Sequence, residues 1–440
     1  MPTVTVEAGF GFGPNDTVTT WVDLTDRVGY PGGIRWAYGR VNEREQADAG
    51  TGSITFDNSD RALDPTNTAS PYWPDVKPMV PLRVTATHNA STRSVLYAHA
   101  EGWPPEWEGT QYGWVTVPIV DGFKLLSMAE TSIAYDETKT GARAEALLDA
   151  ADWPAARRDV DTGQSFIQEY EASQRIVLNA LRETAEVENG AFFIDPAGNA
   201  AFHSRVRRIN PTLAYTFGET SGLPYETVLP SYDESDIWNG VAITPWELSI
   251  RSAEDATSQA TYGHRRLEKM DVRVINELVA QDMADGLLAR LKDPVLRVDK
   301  LTVEGDLFSG DGTDPDVMEA ILELGIGDLV RVISQPAGGG SPLSVDVFIE
   351  HVSHRIEADS WRTTYQLSPF YDDQSAAWLI GVEGSSNVGV STVLGWMTWL
   401  PLSEDALPVV YRWVSRFDSA IERWVRHCVH AIVGRIHGGR

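Results

Sequence analysis

Two short alternating runs, separated by a proline-punctuated stretch, constrain this chain most. Between Gly50 and Val84, Ile54 and Phe56 alternate with Ser53, Thr55 and Asp57, the period of a strand with one buried face. Asn58, Ser59 and Asp60 end that run with side chains that hydrogen-bond nearby backbone and favour turns. Pro65, Pro71, Pro74, Pro78 and Pro81 exclude a helix between the two runs, because each lacks an N–H and fixes φ. Val80, Leu82 and Val84 restore the alternation. The segment therefore reads as strand, long ordered loop, strand.

The same punctuation runs through residues 1–125. Thr3–Ala8, Thr19–Leu24, Gly33–Tyr38, Gly52–Asp57, Pro81–Thr87, Val95–Glu101 and Tyr112–Asp121 are short alternating runs divided by Gly- and Pro-rich turns, the pattern of a barrel or sandwich. Residues 126–230 read as a mixed α/β insertion. Helices are expected over Thr140–Trp153, stopped by Pro154, and over Ser173–Asn189, with Ser173 as N-cap and Gly190 just past the C-terminus. Ile176, Leu178, Leu181, Ala185 and Val187 form the second helix's apolar part, and Ala191–Asp195 and Ala200–Ser204 form a hairpin with a wide turn. Residues 231–371 return to strands at Asp236–Thr244, Val298–Glu304, Asp328–Ser334, Val345–Ile356 and Trp361–Leu367. Ser258–His264 holds a Tyr-Gly step, and one amphipathic helix, Val274–Lys292, turns Leu278, Met283, Leu287, Leu288 and Leu291 inward. Residues 372–405 read as a Gly- and Ser-rich linker. The expected fold class is mainly β with an α/β insertion: two β-barrel domains flank the mixed segment, and a C-terminal helix comes last.

That helix, over residues 406–440, is amphipathic. Leu407, Val410, Val414, Phe417, Ile421, Trp424, Cys428 and Ala431 step by three and four without a break, a heptad seam. The segment carries a net charge of +4 in a chain of net charge −27. An apolar seam of this kind implies an oligomer-forming coiled coil, with a helix lying on a lipid surface or host envelope as the rival.

Composition excludes several function classes. The acidic balance argues against a general nucleic-acid binder. It suits solubility, and equally a channel whose walls repel DNA in transit. The single cysteine, Cys428, rules out an internal disulfide framework and fits folding in a reducing cytoplasm. The N-terminus has no signal-peptide pattern, and no run of about 18 apolar residues exists. The 15 tryptophans suit cores and subunit contacts better than a sugar-binding groove. No nucleophile elbow, phosphate loop, paired-cysteine metal site or zinc-protease helix is present. Gly9–Gly13 lacks the spacing of a dinucleotide loop. His351 and His354 lie on opposite faces of an expected strand, poorly placed as joint metal ligands. Asp306, Asp311, Asp314 and Asp316 miss the calcium-loop spacing and read as a solvated loop. The expectation is no enzyme, no cofactor, no metal and no catalytic residue.

The Gly50–Val84 segment resembles the N-terminal barrel of hub-type minor tail proteins (the baseplate hub or tail-associated family) in long-tailed phages of actinobacteria. There, too, a strand ends in an Asp-Asn pair, matched here by Asp57 and Asn58. An Asp-Pro step comes next, then an Asn and a Ser-Pro-Tyr, here Asp64, Pro65, Asn67, Ser70, Pro71 and Tyr72. The run Leu147–Pro154 with its downstream Asp161-Thr162-Gly163, the helix and hairpin ending near Arg205, and the closing strand, His, strand, Trp-x-Thr-Thr pattern resemble the same proteins. The resemblance covers roughly residues 20 to 370 in scattered motifs and leaves 372–440 uncovered. It implies a homotrimeric tail-tip hub in which two barrels per chain form a pseudo-six-fold ring, adapting the six-fold tail tube to a three-fold tip. It also implies as partners a distal tail ring protein, a tape measure protein and a central fibre or other minor tail proteins, with phage DNA passing through the lumen without specific binding. The protein would be made in the host bacterial cytoplasm and end in the virion tail tip. The alternatives are a distal tail ring protein with one such barrel, and a tail protein that binds host cell-wall glycans.

Overall fold

The computed structural model describes residues 2–371 apart from positions 30, 31, 110, 210, 220 and 306–316. The protein is mainly β. The first section supplies β1 (Thr3–Ala8), β2 (Val22–Asp23), β3 (Ile34–Gly39), β4 (Asp48–Asp57), β5 (Pro81–His88), β6 (Ser91–Ala100), β7 (Pro105–Glu108) and β8 (Tyr112–Val120). The later chain supplies β9 (Leu213–Gly218), β10 (Thr227–Ser231), β11 (Arg297–Glu304), β12 (Leu329–Ser334), β13 (Leu343–Ile356) and β14 (Trp361–Pro369). All fourteen belong to one sheet, in the order β10-β11-β14-β13-β3-β4-β8-β6-β5-β1-β2, with β7 on β8, β12 on β13 and β9 on β12. Every pairing is antiparallel except β9 with β12. The two β sections thus share one sheet, joined where β3 lies against β13 in the register Ile34↔Ile356 to Gly39↔His351.

Alternation decides which residues enter the core. Ile54 and Phe56 of β4 are fully buried, as are Val84 of β5 and Val115 and Val117 of β8. β13 breaks the rule once. Its register against β14 shifts between Ile349 and His351, a β-bulge that inserts an unpaired residue and swaps the strand's faces. Val347, Phe348, Ile349 and Glu350 are all buried, so both faces are covered there; the main core takes Val347 and Ile349 before the bulge and Val352 and Ile356 after it. At the same point β13 exchanges its neighbour, from β12 over Leu343–Phe348 to β3 over His351–Ile356.

The insertion holds α1 (Phe123–Met128), α2 (Thr140–Ala150) and α3 (Val177–Glu188), with a three-stranded sheet ordered Arg158–Val160, Ala200–His203, Ala191–Ile194. The expected hairpin is present: Asp195 Oδ1 accepts the N–H groups of Ala197 and Asn199 at 2.9 and 2.8 Å and closes its turn. α3 starts four residues later than the sequence suggests. Arg175 and Ile176 instead pair with Thr131 and Glu130 as a short strand, so Ser173 is not the cap and Ile176 is 38% exposed. Asn189, at φ 52°, ends the helix.

In the later chain, α4 (Ala256–Tyr262), α5 (Glu277–Leu291) and α6 (Val317–Glu323) stand where one helix was expected. α4 occupies the Tyr-Gly segment; the Asp255 side chain caps it by accepting the Ser258 N–H at 2.8 Å. The strand expected at Asp236–Thr244 runs Gly240–Pro245 and joins Arg251–Glu254 and Arg266–Val272 in a separate small sheet. α5 buries Ala280, Met283, Ala284, Leu287 and Leu291, whereas Leu278 is 76% exposed. At 100° per residue it falls on the side opposite that stripe.

Gly39 sits at the join with φ 120°, and a Cβ there would stand 2.3 Å from the Glu350 carbonyl oxygen. Gly39→Ala therefore combines a strained backbone with a clash against β13. It should lower unfolding free energy by at least about 1–3 kcal/mol, read as a lower denaturant midpoint at unchanged slope.

Candidate assembly surfaces

Glu350, at the bulge, is fully buried. Its Oε2 accepts hydrogen bonds from Arg40 Nε at 2.7 Å and Arg208 Nη2 at 2.8 Å. Arg208 Nη1 stands 2.6 Å from Oε1, and the Ser368 hydroxyl also donates to Oε1. Arg40 extends the contact through Nη1 to the carbonyls of Glu45 and Gly190 at 3.4 and 3.2 Å. One carboxylate thus ties the end of β3, the insertion, β13 and β14 together. Burial alone would push its pKa up; the charges of Arg208 and Arg40 outweigh that and hold it down to about 2.

The insertion has a counterpart. Glu188 Oε2, at the end of α3, accepts the Thr140 hydroxyl at 2.7 Å and the N–H groups of Gln164 and Ser165, each at 2.9 Å. This pins the Asp161–Gly163 turn against the start of α2. Asp161 itself accepts the Ser204 N–H at 2.8 Å and Arg207 Nε at 2.9 Å.

The loop from Asp57 to Tyr72 is a chain of side-chain-closed turns. Asp57 Oδ1 accepts the Ser59 N–H at 2.9 Å, Asp60 Oδ1 that of Ala62 at 3.0 Å, Asp64 Oδ1 that of Thr66 at 2.8 Å and Asn67 Oδ1 that of Ala69 at 3.1 Å. Each spans two residues, the geometry of an Asx-turn. The buried Asn58 accepts the Leu63 N–H at 2.8 Å, and Asn67 Nδ2 donates to the Arg61 carbonyl at 2.9 Å. Ser70, also buried, donates to the Ala62 carbonyl at 2.5 Å and accepts the Tyr72 N–H at 3.0 Å. The Tyr72 ring stacks on Phe10 with centroids 4.8 Å apart. Pro65 and Pro71 face outward. The eight motif residues therefore lie together from the end of β4 through this loop, and Asp57, Asn58, Asp64, Asn67 and Ser70 close its turns.

The seam residues Leu407, Val410, Val414, Phe417, Ile421, Trp424 and Cys428 lie outside the described residues, as does the acidic loop Asp306–Asp316. Among the described residues no group of three or more His, Cys, Asp or Glu is placed to hold a metal ion. His351 is half-buried and His354 buried, on opposite faces of β13. Nδ1 of His354 lies 2.9 Å from Thr363 Oγ1, and burial brings its pKa down to about 4. No described helix is long and apolar enough to cross a membrane. Sequence reasoning missed Glu350, Arg40 and Arg208: an isolated Glu in an alternating strand reads as surface. It also missed the exposed aromatics of one β-ribbon, Trp107 and Tyr112, each 60% exposed.

This architecture is found in other proteins. The chain is similar to the 43 kDa tail protein of prophage MuSo2 from Shewanella oneidensis, with a TM-score of 0.54 and 12% identity, over 84% of this chain and 98% of that one. It is similar likewise to the tail protein from Neisseria meningitidis MC58, with a TM-score of 0.53 and 14% identity, over 85% of this chain and 99% of that one. No protein-family model matches the sequence, and no curated protein matches it. The fold is therefore that of phage tail proteins.

These contacts have measurable consequences. Arg40→Ala leaves Glu350 with half its cationic partners and should cost about 3–5 kcal/mol of stability, seen in chemical unfolding. Because the folded pKa of Glu350 lies below its ordinary 4.5, its contribution is complete above that value and disappears as pH falls through about 2. Glu350→Gln should remove this part of the acid dependence from stability curves recorded between pH 5 and 2. In the loop, Asp64→Ala removes the acceptor of the Thr66 N–H and the partner of Arg61. It should cost about 1–3 kcal/mol, with faster amide exchange confined to residues 58–72.

Proposed function

We propose that this chain is a structural hub at the tail tip of a long-tailed phage, acting as a homotrimer that adapts a six-fold tube and distal tail ring to a three-fold tip. The observation that carries this reading is the chain-wide likeness to tail proteins, which covers 84–85% of this chain and nearly all of theirs. Two β sections of one chain, paired side by side at β3 and β13, support it, because three copies then present six comparable sections around an axis. In this reading residues 1–125 and 231–371 are the two hub barrels, 126–230 is the insertion, and 372–405 links them to the helix at 406–440. The distal tail ring, tape measure protein and central fibre are the partners, and DNA passes through the lumen without being held. The heptad seam from Leu407 to Cys428 would meet its symmetry mates on the three-fold axis. The role is mechanical and non-catalytic.

Purified full-length protein should sediment at three times the 48.5 kDa chain mass and show three-fold symmetry in negative-stain images. A six-membered ring or a monomer at every concentration defeats the hub reading. Incubation with peptidoglycan should release no soluble fragments. Ile421→Asp puts a carboxylate into the proposed seam and should reduce the trimer while leaving the thermal unfolding of the β sheet unchanged.

A further inference from the structure

Two features at one end of the sheet are opposite in charge. The first is a row of arginines. Arg35 on β3 lies opposite Arg355 on β13, and Arg355 opposite Arg362 on β14. Directly opposed cross-strand residues stand about 5 Å apart, and like charges so placed are destabilising. Arg355 and Arg362 offset this with Glu357, Glu304 and Glu226. Arg35 is exposed, and its side chain has no ion pair or hydrogen bond among the described residues. Such a guanidinium, beside a second cation on the sheet, has no carboxylate partner among the described residues.

The second feature is the ribbon of β7 and the start of β8. Trp107 and Tyr112 are each 60% exposed, and Glu106 and Glu108 are exposed as well. Glu106 pairs with Trp114 and Glu108 with Tyr112, so both carboxylates and Tyr112 share one side of the ribbon. No Lys or Arg occurs between Arg93 and Lys124. An aromatic, wholly acidic ribbon and an arginine row are the residue types that concentrate binding energy in protein interfaces. The row level is fixed by Arg35↔Ser53 and the ribbon root by Asp57↔Trp114. Four residues of β4 separate them, about 13 Å along the strands.

We propose that β7, Pro105–Glu108, together with Tyr112 at the start of β8, docks from one copy on the Arg35–Arg355–Arg362 row of the next. This interface rests on the self-assembly proposed above and names the surfaces that carry it. A nucleic-acid backbone is the other anionic occupant of such a row, and the test below separates the two.

Charge reversal tests the pairing. Arg35→Glu and the double variant Glu106→Arg/Glu108→Arg should each weaken association at least about tenfold in sedimentation velocity. Their melting temperatures should match wild type, since none of the three side chains has a folded-state partner among the described residues of its own chain. The combined triple variant, with both charges exchanged, should recover association to within about threefold of wild type. Wild-type oligomers unmoved by either reversal, or a triple variant no better than the singles, overturn this interface and leave the trimer reading standing. A wild-type protein that stays monomeric defeats the trimer reading itself. Duplex DNA retained by wild type and lost in Arg35→Glu, with oligomer mass unchanged, would assign the row to nucleic acid instead and overturn the proposal.

Discussion

A buried carboxylate holds this fold in register. Glu350 has no access to solvent, and an ionised group in that position is tolerated only with opposite charge and full hydrogen bonding. Its partners arrive from sequence positions far apart: Arg40 from the first β section, Arg208 from the insertion, Ser368 from the last strand. Withdrawing either arginine leaves the buried carboxylate with half its compensating charge, and withdrawing Ser368 removes a hydrogen bond to it. The requirement couples three parts of the chain that hydrophobic contact alone would let slide.

The bulge at Glu350 gives that coupling its geometry. The core-facing side of β13 passes from Val347 and Ile349 before residue 350 to Val352 and Ile356 after it. Glu350 is the residue left unpaired there, its carboxylate beside Ser368 and the Arg208 that stacks on Phe348, and β13 passes from β12 to β3 at the same point. Gly39, opposite, permits the close approach of β3. One irregularity therefore joins both β sections into a single sheet and places the charge that locks them.

The likeness to phage tail proteins at 12–14% identity is consistent with these demands. Alternating runs, turn-forming side chains and volume-matched cores admit many sequences, so a shared architecture survives with few shared residues. The loop at 57–72 shows how local such demands are: its turns close through hydrogen bonds between residues two apart, and they need Asp, Asn or Ser at set places more than any distant partner. Its position beside the β7–β8 ribbon, by contrast, depends on the Asn58 N–H donating to the Gly113 carbonyl at 2.7 Å.

What the sequence alone determined was whatever depends on near neighbours. Strand alternation at Ile54 and Phe56, the Asx-turn residues from Asp57 to Ser70, the hairpin around Asp195 and the closing β13–β14 hairpin all arise from interactions a few residues long, and they were legible. Helix edges were less so. Ser173 lost its role because Arg175 and Ile176 found a strand partner at Thr131 and Glu130, and Leu278 fell off its helix's buried stripe. Only the tertiary structure decided that the two β sections form one sheet, that Glu350 lies inside it, and that Arg35, Arg355 and Arg362 stand in one row. Each of these depends on residues brought together from opposite ends of the described chain, or on a bulge that inverts the faces of a strand. No pattern of alternation carries that information, because the register between distant strands is fixed by packing and by the cost of a buried charge.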